Sequence, residues 1–528
     1  MNLARLAEQN VERFGEYEAV HWDGRWITNV QQLEEAKRFA NVAISLGLGP
    51  ADRVAVMLPN CPEVFAVNGG TVAMGGTVVP VVFLLAPGEI RHILADSRPR
   101  ILVTNPLFLD KATEALQGLD DPPRLVVLGD PVPDGALSYR ELMAGASPSF
   151  DVVDRGADDV ALVMYTGGTT GRPKGVMLSH ENLRWNAMTV AEATGIMPES
   201  TSLLALPIAH LFGMIATITG QVLGTRGILL EWFTPDGVLQ AVQEHRVEYL
   251  PLVPTMMTLL LHHRGAEQYD TSSLKTVFAS AAPVPIELAE AFEKRFDCEV
   301  LEGYGQTEAA PALALMRPGL PKKAGSTGPP LPGVELRIED EDHEEVPEGQ
   351  VAEICARSPG VMHGYHDLPD VTEDTLKHGW LHTGDMGYLD ADGYLFVTDR
   401  KKDLIIRGGF NVYPRDVEDL LLEHPGVAEA AVVGRPDERM GEEVVAFVVR
   451  APGQELSQEE LLEFAADRLA GYKRPREIQF TGGLPKSPIG KVLKKDLRAR
   501  LAAEKQGSGA REANQERSAS EVETAGNG

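Results

Sequence analysis

The chain has 528 residues, 77 of them acidic and 49 basic, for a formal charge of −28. At about 150 residues per folding unit that length suits three or four units, and the acidity repels phosphate backbones, which excludes a general nucleic-acid binder. Its three cysteines, Cys61, Cys298 and Cys355, lie far apart with no CxxC pair, so the pattern supports neither a disulfide framework nor a thiolate zinc centre and suits a reducing, cytoplasmic compartment.

The first twenty residues interleave Arg5, Glu8, Glu12 and Arg13 with apolar positions, the pattern of an amphipathic helix and not of a secretory signal. Helical spacing follows over Val30–Leu46, Pro62–Met74 and Pro87–Asp96, alternating with the strand-like runs Arg53–Leu58, Gly76–Phe83, Arg100–Thr104 and Leu125–Leu128. Such alternation predicts βα units and a parallel sheet with helices on its faces. The same layout recurs from Ala161, with strands near Leu203, Ile228 and Thr276 and helices near Val238, Met256 and Glu287. Two uncharged stretches, Val64–Gly88 and Thr201–Thr225, approach the ~20 residues of a membrane span. Two Gly-Gly pairs and Pro80 break the first, and Pro207 and His210 the second, so neither is read as a span. From Ala324 to Thr398 short alternating strands predict a small β-rich subdomain.

Charge marks another boundary. Residues 1–399 hold 28 basic and 55 acidic side chains, whereas residues 400–500 hold 18 and 17. Gly471–Arg500 alone carries nine basic residues against Glu477 and Asp496, a positive strip suited to a polyanion such as a nucleotide. The tail holds one aliphatic residue larger than Ala, Val522, too little to offset ordering entropy. The reading is an α/β (mixed α+β) protein with a large N-terminal domain, 1–398, of two βα-layered sheets plus the β-rich subdomain. A smaller α+β domain, 399–502, and a disordered tail, 503–528, complete it.

The segment most telling of chemistry is Val160–Asn182, VALVMYTGGTTGRPKGVMLSHEN. An apolar strand enters Thr166, Gly167, Gly168, Thr169, Thr170 and Gly171, then Lys174 and a second strand, with Ser179 as helix N-cap. Glycines let backbone N–H groups approach phosphate oxygens, and the threonines and Lys174 add donors and charge. It is not a Walker A loop, because Lys174 lies between Pro173 and Gly175.

Five further segments, PIAHLFG at Pro207, GYGQTE at Gly303, GWLHTGD at Gly379, DRKKDLIIRGGFNVYP at Asp399 and PKSPIGK at Pro485, follow in order. With the loop, they resemble the motifs of the adenylate-forming acyl-CoA synthetase superfamily over residues 1–500. The chemistry has clear demands: a carboxylate is a poor electrophile at pH 7 until joined to AMP as a mixed anhydride. Bringing carboxylate and phosphate within about 4 Å costs on the order of 4 kcal/mol at an effective dielectric of 20, so cations must intervene. The resemblance implies that Lys491 bridges carboxylate and α-phosphate, that Glu308 holds Mg²⁺ with Thr166 beside the metal and pyrophosphate, and that Thr307 contacts phosphate. It implies that Gly303, Tyr304 and Gly305 bind the nucleotide, with Tyr304 stacked on adenine and Ala281 and Ala282 lining it in a tight turn. Asp385 corresponds to the ribose ligand and Arg400 to the arginine near ribose and phosphate.

By the same resemblance His210 lies at the acyl-phosphate junction, with Phe212, Gly213 and Val253 facing the acyl group. Asp399 matches the hinge of a mobile C-terminal domain, and Gly408 and Gly409 line the thiol tunnel. The pairs His180-Glu181 and His343-Glu344 lack the second histidine of HExxH. Gly168 departs from the more usual serine. The whole implies ATP, Mg²⁺ and coenzyme A acting on a carboxylic acid, a medium- or long-chain fatty acid first and an aryl or other organic acid second. A nucleotide-dependent acyl-binding protein without turnover is the alternative of another class. No integral membrane segment is expected, and a peripheral membrane contact and a homodimer stay open.

Overall fold

The computed structural model describes residues 1–166, 173–408, 410–437, 439–466, 468–487 and 490–503. Two compact units divide it, the larger comprising Met1–Thr383 and Tyr388–Val397, the smaller Gly384–Gly387 and the chain from Thr398 onwards.

In the larger unit the alternation of strand and helix builds two eight-stranded sheets, as read. One runs, in spatial order, through Gly364–Tyr365, Lys174–Ser179, Val160–Thr166, Thr77–Pro80, Arg53–Met57, Ile101–Thr104, Arg124–Val127 and Leu137–Ser138. The other runs through Ala312–Leu315, Glu299–Gly305, Thr276–Ala279, Tyr249–Leu252, Thr201–Leu204, Arg226–Leu229, Glu18–Trp22 and Arg25–Thr28. Their central strands are parallel and apolar on both faces, which the covering helices require.

Local chemistry sets the helix starts. Thr28 accepts from the Gln31 amide at 3.1 Å while the Gln31 side chain accepts from Thr28 N–H at 3.0 Å, closing a capping box before helix Asn29–Ser45. Ser179 caps helix His180–Thr194 in the same way with Asn182, as its place in the sequence suggests. One expectation differs. Gly69 and Gly70 break nothing: they lie inside helix Pro62–Ala73, and a Cβ on Gly70 would stand 2.4 Å from the Ala36 carbonyl. The pair is small because two helices touch there. The chain turns afterwards, at Gly75-Gly76, so this stretch is a helix and a strand, and Thr201–Thr225 likewise divides into a strand and helix Leu211–Leu223. Among the described residues no helix is long and apolar enough to cross a membrane.

The β-rich subdomain is a four-stranded sheet in the order Glu335–Glu339, Ala352–Arg357, Leu381–Leu389 and Leu395–Arg400. Gly364–Tyr365 leaves it to pair with Met177 and Val176, extending the first large sheet. In the smaller unit, long strands Val427–Asp437 and Gly441–Arg450 pair antiparallel, Glu477–Phe480 lies parallel to the second, and Val432, Val444, Ala446 and Val448 form the centre of one face. The basic strip is not a free positive face: Lys473, Arg476, Lys486, Lys494 and Arg498 each pair with a carboxylate of this unit. None of the three cysteines forms a disulfide.

Candidate functional site

Four neighbouring parallel strands of the second sheet place the nucleotide and acyl candidates. Thr201–Leu204, Tyr249–Leu252, Thr276–Ala279 and Glu299–Gly305 run the same way, so the segments leaving their carboxyl ends share one edge. Those segments carry His210, Val253, Ala281 with Ala282, and Thr307 with Glu308, and Gly303 to Gly305 end the last strand. Open α/β sheets bind ligands at that edge, where loops diverge and backbone groups are left to recognise them.

Ala281 adopts φ +72°, left-handed for a residue with a Cβ, which makes the tight turn at the adenine candidates. The Ser280 hydroxyl donates to the Gly303 carbonyl at 2.8 Å and ties this turn to the strand carrying Tyr304, which is buried. Thr307 and Glu308 form a short 3₁₀ turn just beyond. There the Tyr365 hydroxyl donates to Glu308 Oε1 at 2.9 Å, and the Lys174 ammonium stands 4.7 Å over the Tyr365 ring. Burial and the neighbouring Glu308 charge push the Tyr365 phenol upward, so it stays a donor. Thr166 lies directly across from Lys174 on the antiparallel pair. Thr166, Lys174, Tyr365 and Glu308 therefore form one connected group. Gly167, Gly168, Thr169, Thr170 and Gly171 lie outside the described residues.

His210 is the N-cap of helix Leu211–Leu223, its Nδ1 accepting from Phe212 N–H at 3.3 Å. Phe212 is half-buried, while Met214 and Val253 are buried. A Cβ on Gly213 would stand 2.3 Å from the Pro207 carbonyl, so its hydrogen lets the helix start close under the segment that presents His210.

The smaller unit gathers the remaining candidates. Arg400 Nε lies 3.1 Å from Asp385 Oδ1, and Asp385 is buried. Lys491 is half-buried near the charges of Arg400, Asp385, Asp403 and Lys494. Burial first, then Arg400, pull its ammonium down to about 8, and burial pulls neighbouring Lys402 to about 8 as well. Asp399 accepts from Arg400 N–H at 2.8 Å and from Arg415 N–H at 2.9 Å, and burial raises it to about 6. Gly408, at φ +60°, donates its N–H to the Met440 carbonyl at 2.7 Å. Gly409 lies outside the described residues.

With this geometry, the profile of the AMP-binding enzyme family matches residues 7–366, and that of the AMP-binding enzyme C-terminal domain matches residues 416–491. The chain belongs to the AMP-binding enzyme family. A feruloyl-CoA synthase of an Amycolatopsis species is 39% identical over 92% of this chain and 96% of its own length. A long-chain-fatty-acid–CoA ligase of Bacillus subtilis is 34% identical, covering 94% of each. The crystal structure of ATP-bound MatB from Rhodopseudomonas palustris superposes with a TM-score of 0.87 at 33% identity, over 95% of this chain and 99% of that one. This AMP-binding enzyme is thus an AMP-forming acyl-CoA ligase, using ATP and CoA.

Sequence reasoning missed Tyr365 and Lys402 in this enzyme. Lys402 stood within a motif already singled out. Tyr365, in contrast, is brought to Glu308 by a two-residue strand, and no local pattern signals it. His180 is a core residue, its Nδ1 accepting from Leu3 N–H at 3.1 Å and burial lowering it to about 4.

Proposed function

We propose that this ligase joins the carboxylate of an apolar acid to AMP, releasing pyrophosphate, and that the CoA thiolate then displaces AMP. The observation that carries the reading is Lys491, an ammonium half-withdrawn from water beside Asp385 and Arg400. Partial burial strengthens its attraction for an anion and lets it offset the repulsion between carboxylate and phosphate. Asp385, with Arg400 against it, is assigned the ribose hydroxyls; Tyr304, Ala281 and Ala282 the adenine; Gly303 and Gly305 the nucleotide; Thr307 and Lys174 the phosphates. A half-buried carboxylate with hydroxyl neighbours suits a hard divalent cation, so Glu308, with Thr166, would hold Mg²⁺. Bound there, the ion would supply positive charge to phosphate oxygens. His210, Phe212, Gly213 and Val253 are assigned the acyl side, Gly408 and Gly409 the thiol side, and Asp399 the pivot between half-reactions from which domains 1–398 and 399–502 take their roles.

The acid remains a choice between two classes. The motif resemblance puts a fatty acid first, but the higher identity to a feruloyl-CoA synthase than to the fatty-acid ligase favours an aryl acid of the hydroxycinnamate type. A CoA-thioester assay across C2 to C18 and aromatic acids separates them. The mechanism is tested by Lys491→Ala, which should reduce acid-dependent ATP–pyrophosphate exchange by orders of magnitude while sparing thioester formation from supplied acyl-adenylate. Equal loss in both half-reactions would remove its assigned role. No exchange with any acid in the unaltered chain would favour binding without turnover.

A further inference from the structure

The four-stranded sheet holds a cluster that none of the roles assigned above uses. Glu339, at the end of its strand, pairs directly across from Glu353, and both carboxylates are buried. Like charges facing each other across a sheet repel, and burial strengthens the repulsion. On the neighbouring Leu381–Leu389 strand, His382 has a side chain only 8% exposed. Its Nδ1 lies 3.6 Å from Glu353 Oε2 and 3.4 Å from Cys355 Sγ, while its Nε2 points to Glu339 Oε2 at 4.0 Å. That Nε2 is buried and makes no hydrogen bond. From the turn after Glu339, His343 Nδ1 approaches the same Oε2 at 4.0 Å.

We propose that Glu339, His343 and His382 bind one divalent transition-metal ion of the zinc class, with a fourth position open to solvent beside His343. Their ligand atoms all lie within 4.8 Å of one another, and donors sharing a zinc at about 2.0–2.2 Å stand roughly 3.3 Å apart, so small side-chain movements close the site. Two imidazoles and one carboxylate suit zinc and disfavour magnesium. Glu353 behind Nδ1 fulfils the usual second requirement of such a site: a carboxylate that turns the other ring nitrogen toward the metal. The ion would neutralise the facing carboxylates and give the orphaned Nε2 a partner. It would also fasten the turn to the strand that continues through Thr383 to Asp385. HExxH spacing misses this grouping because His343 and His382 meet through sheet pairing and not along one helix.

The test uses the full chain stripped with a chelator and titrated calorimetrically with ZnCl₂ in the presence of millimolar Mg²⁺, with Co²⁺ absorption reporting the ligand set. One ion per chain is expected, undisplaced by Mg²⁺, together with a zinc-dependent rise in melting temperature. His382→Ala should weaken binding at least tenfold. Because His343 sits at φ +63°, His343→Gly keeps the turn without strain and should also lose at least tenfold while folding normally. His262→Ala, an exposed histidine elsewhere, should change nothing. No binding by the unaltered chain overturns the proposal; so does binding indifferent to His343→Gly, which marks an adventitious ion only.

Discussion

Lys491 makes a pH prediction that separates this site from a surface lysine. With its ammonium pulled down to about 8 from 10.5, about nine-tenths of the free enzyme carries the charge at pH 7 and about one-tenth at pH 9. An adenylation step that needs the charged form should therefore lose about ninefold in kcat/KM between those pH values. An ordinary lysine would lose only a few per cent over the same range. The direction follows from the cause: burial and the like charge of Arg400 disfavour the ammonium, so rising pH removes it early. ATP–pyrophosphate exchange with the acid held well below its KM, followed from pH 6.5 to 9.5, measures it. Lys402→Gln, which removes a neighbouring positive charge, should move the midpoint upward. Exchange that stays level through pH 9.5, or the same fall in thioester formation from supplied acyl-adenylate, would refute the argument.

Tyr365→Phe deletes the hydroxyl bound to Glu308 at 2.9 Å; a hydrogen bond to a charged acceptor is worth about 1.5–3 kcal/mol, so the KM for Mg-ATP should rise about tenfold or more, and an unchanged Mg²⁺ titration would disconnect the pair from the metal. Asp399 holds its proton up to about 6 in the folded unit against 3.8 in the free side chain, so its ionisation opposes folding, with no cost below about pH 4 and the full cost, at most about 3 kcal/mol, above 6. The stability difference between the parent chain and Asp399→Asn should accordingly change across pH 4–6 in thermal melts, and a constant difference would remove Asp399 from that linkage. Gly213→Ala must displace the Pro207 carbonyl from 2.3 Å; overpacking of this kind costs about 1–3 kcal/mol, and exchange activity should fall more than melting temperature because the displaced segment carries His210. Equal activity in that variant would free the acyl side from the helix start.

Much of the architecture was legible because it is local. Strand and helix alternate with distinct periodicities, and the Ser179 cap announces itself within four residues. The motif segments were legible too, since each is a short stretch whose residue types suit one chemical task. Their assembly was not. That His210, Val253, Ala281 and Thr307 follow four neighbouring parallel strands depends on strand order, which no window of sequence contains. Gly69-Gly70 looked like a break because glycine disfavours an isolated helix, but contact with the helix containing Ala36 outweighs that preference. The basic strip looked like one positive face until folding brought Asp403, Asp416, Glu418 and Glu429 to its lysines and arginine. The order of strands and helices along the chain thus determined the fold class, and the resemblance of its motifs the kind of reaction. The depressed lysine, the tyrosine on Glu308 and the paired imidazoles were decided only in three dimensions, because burial and charge act through space between residues that the sequence keeps far apart.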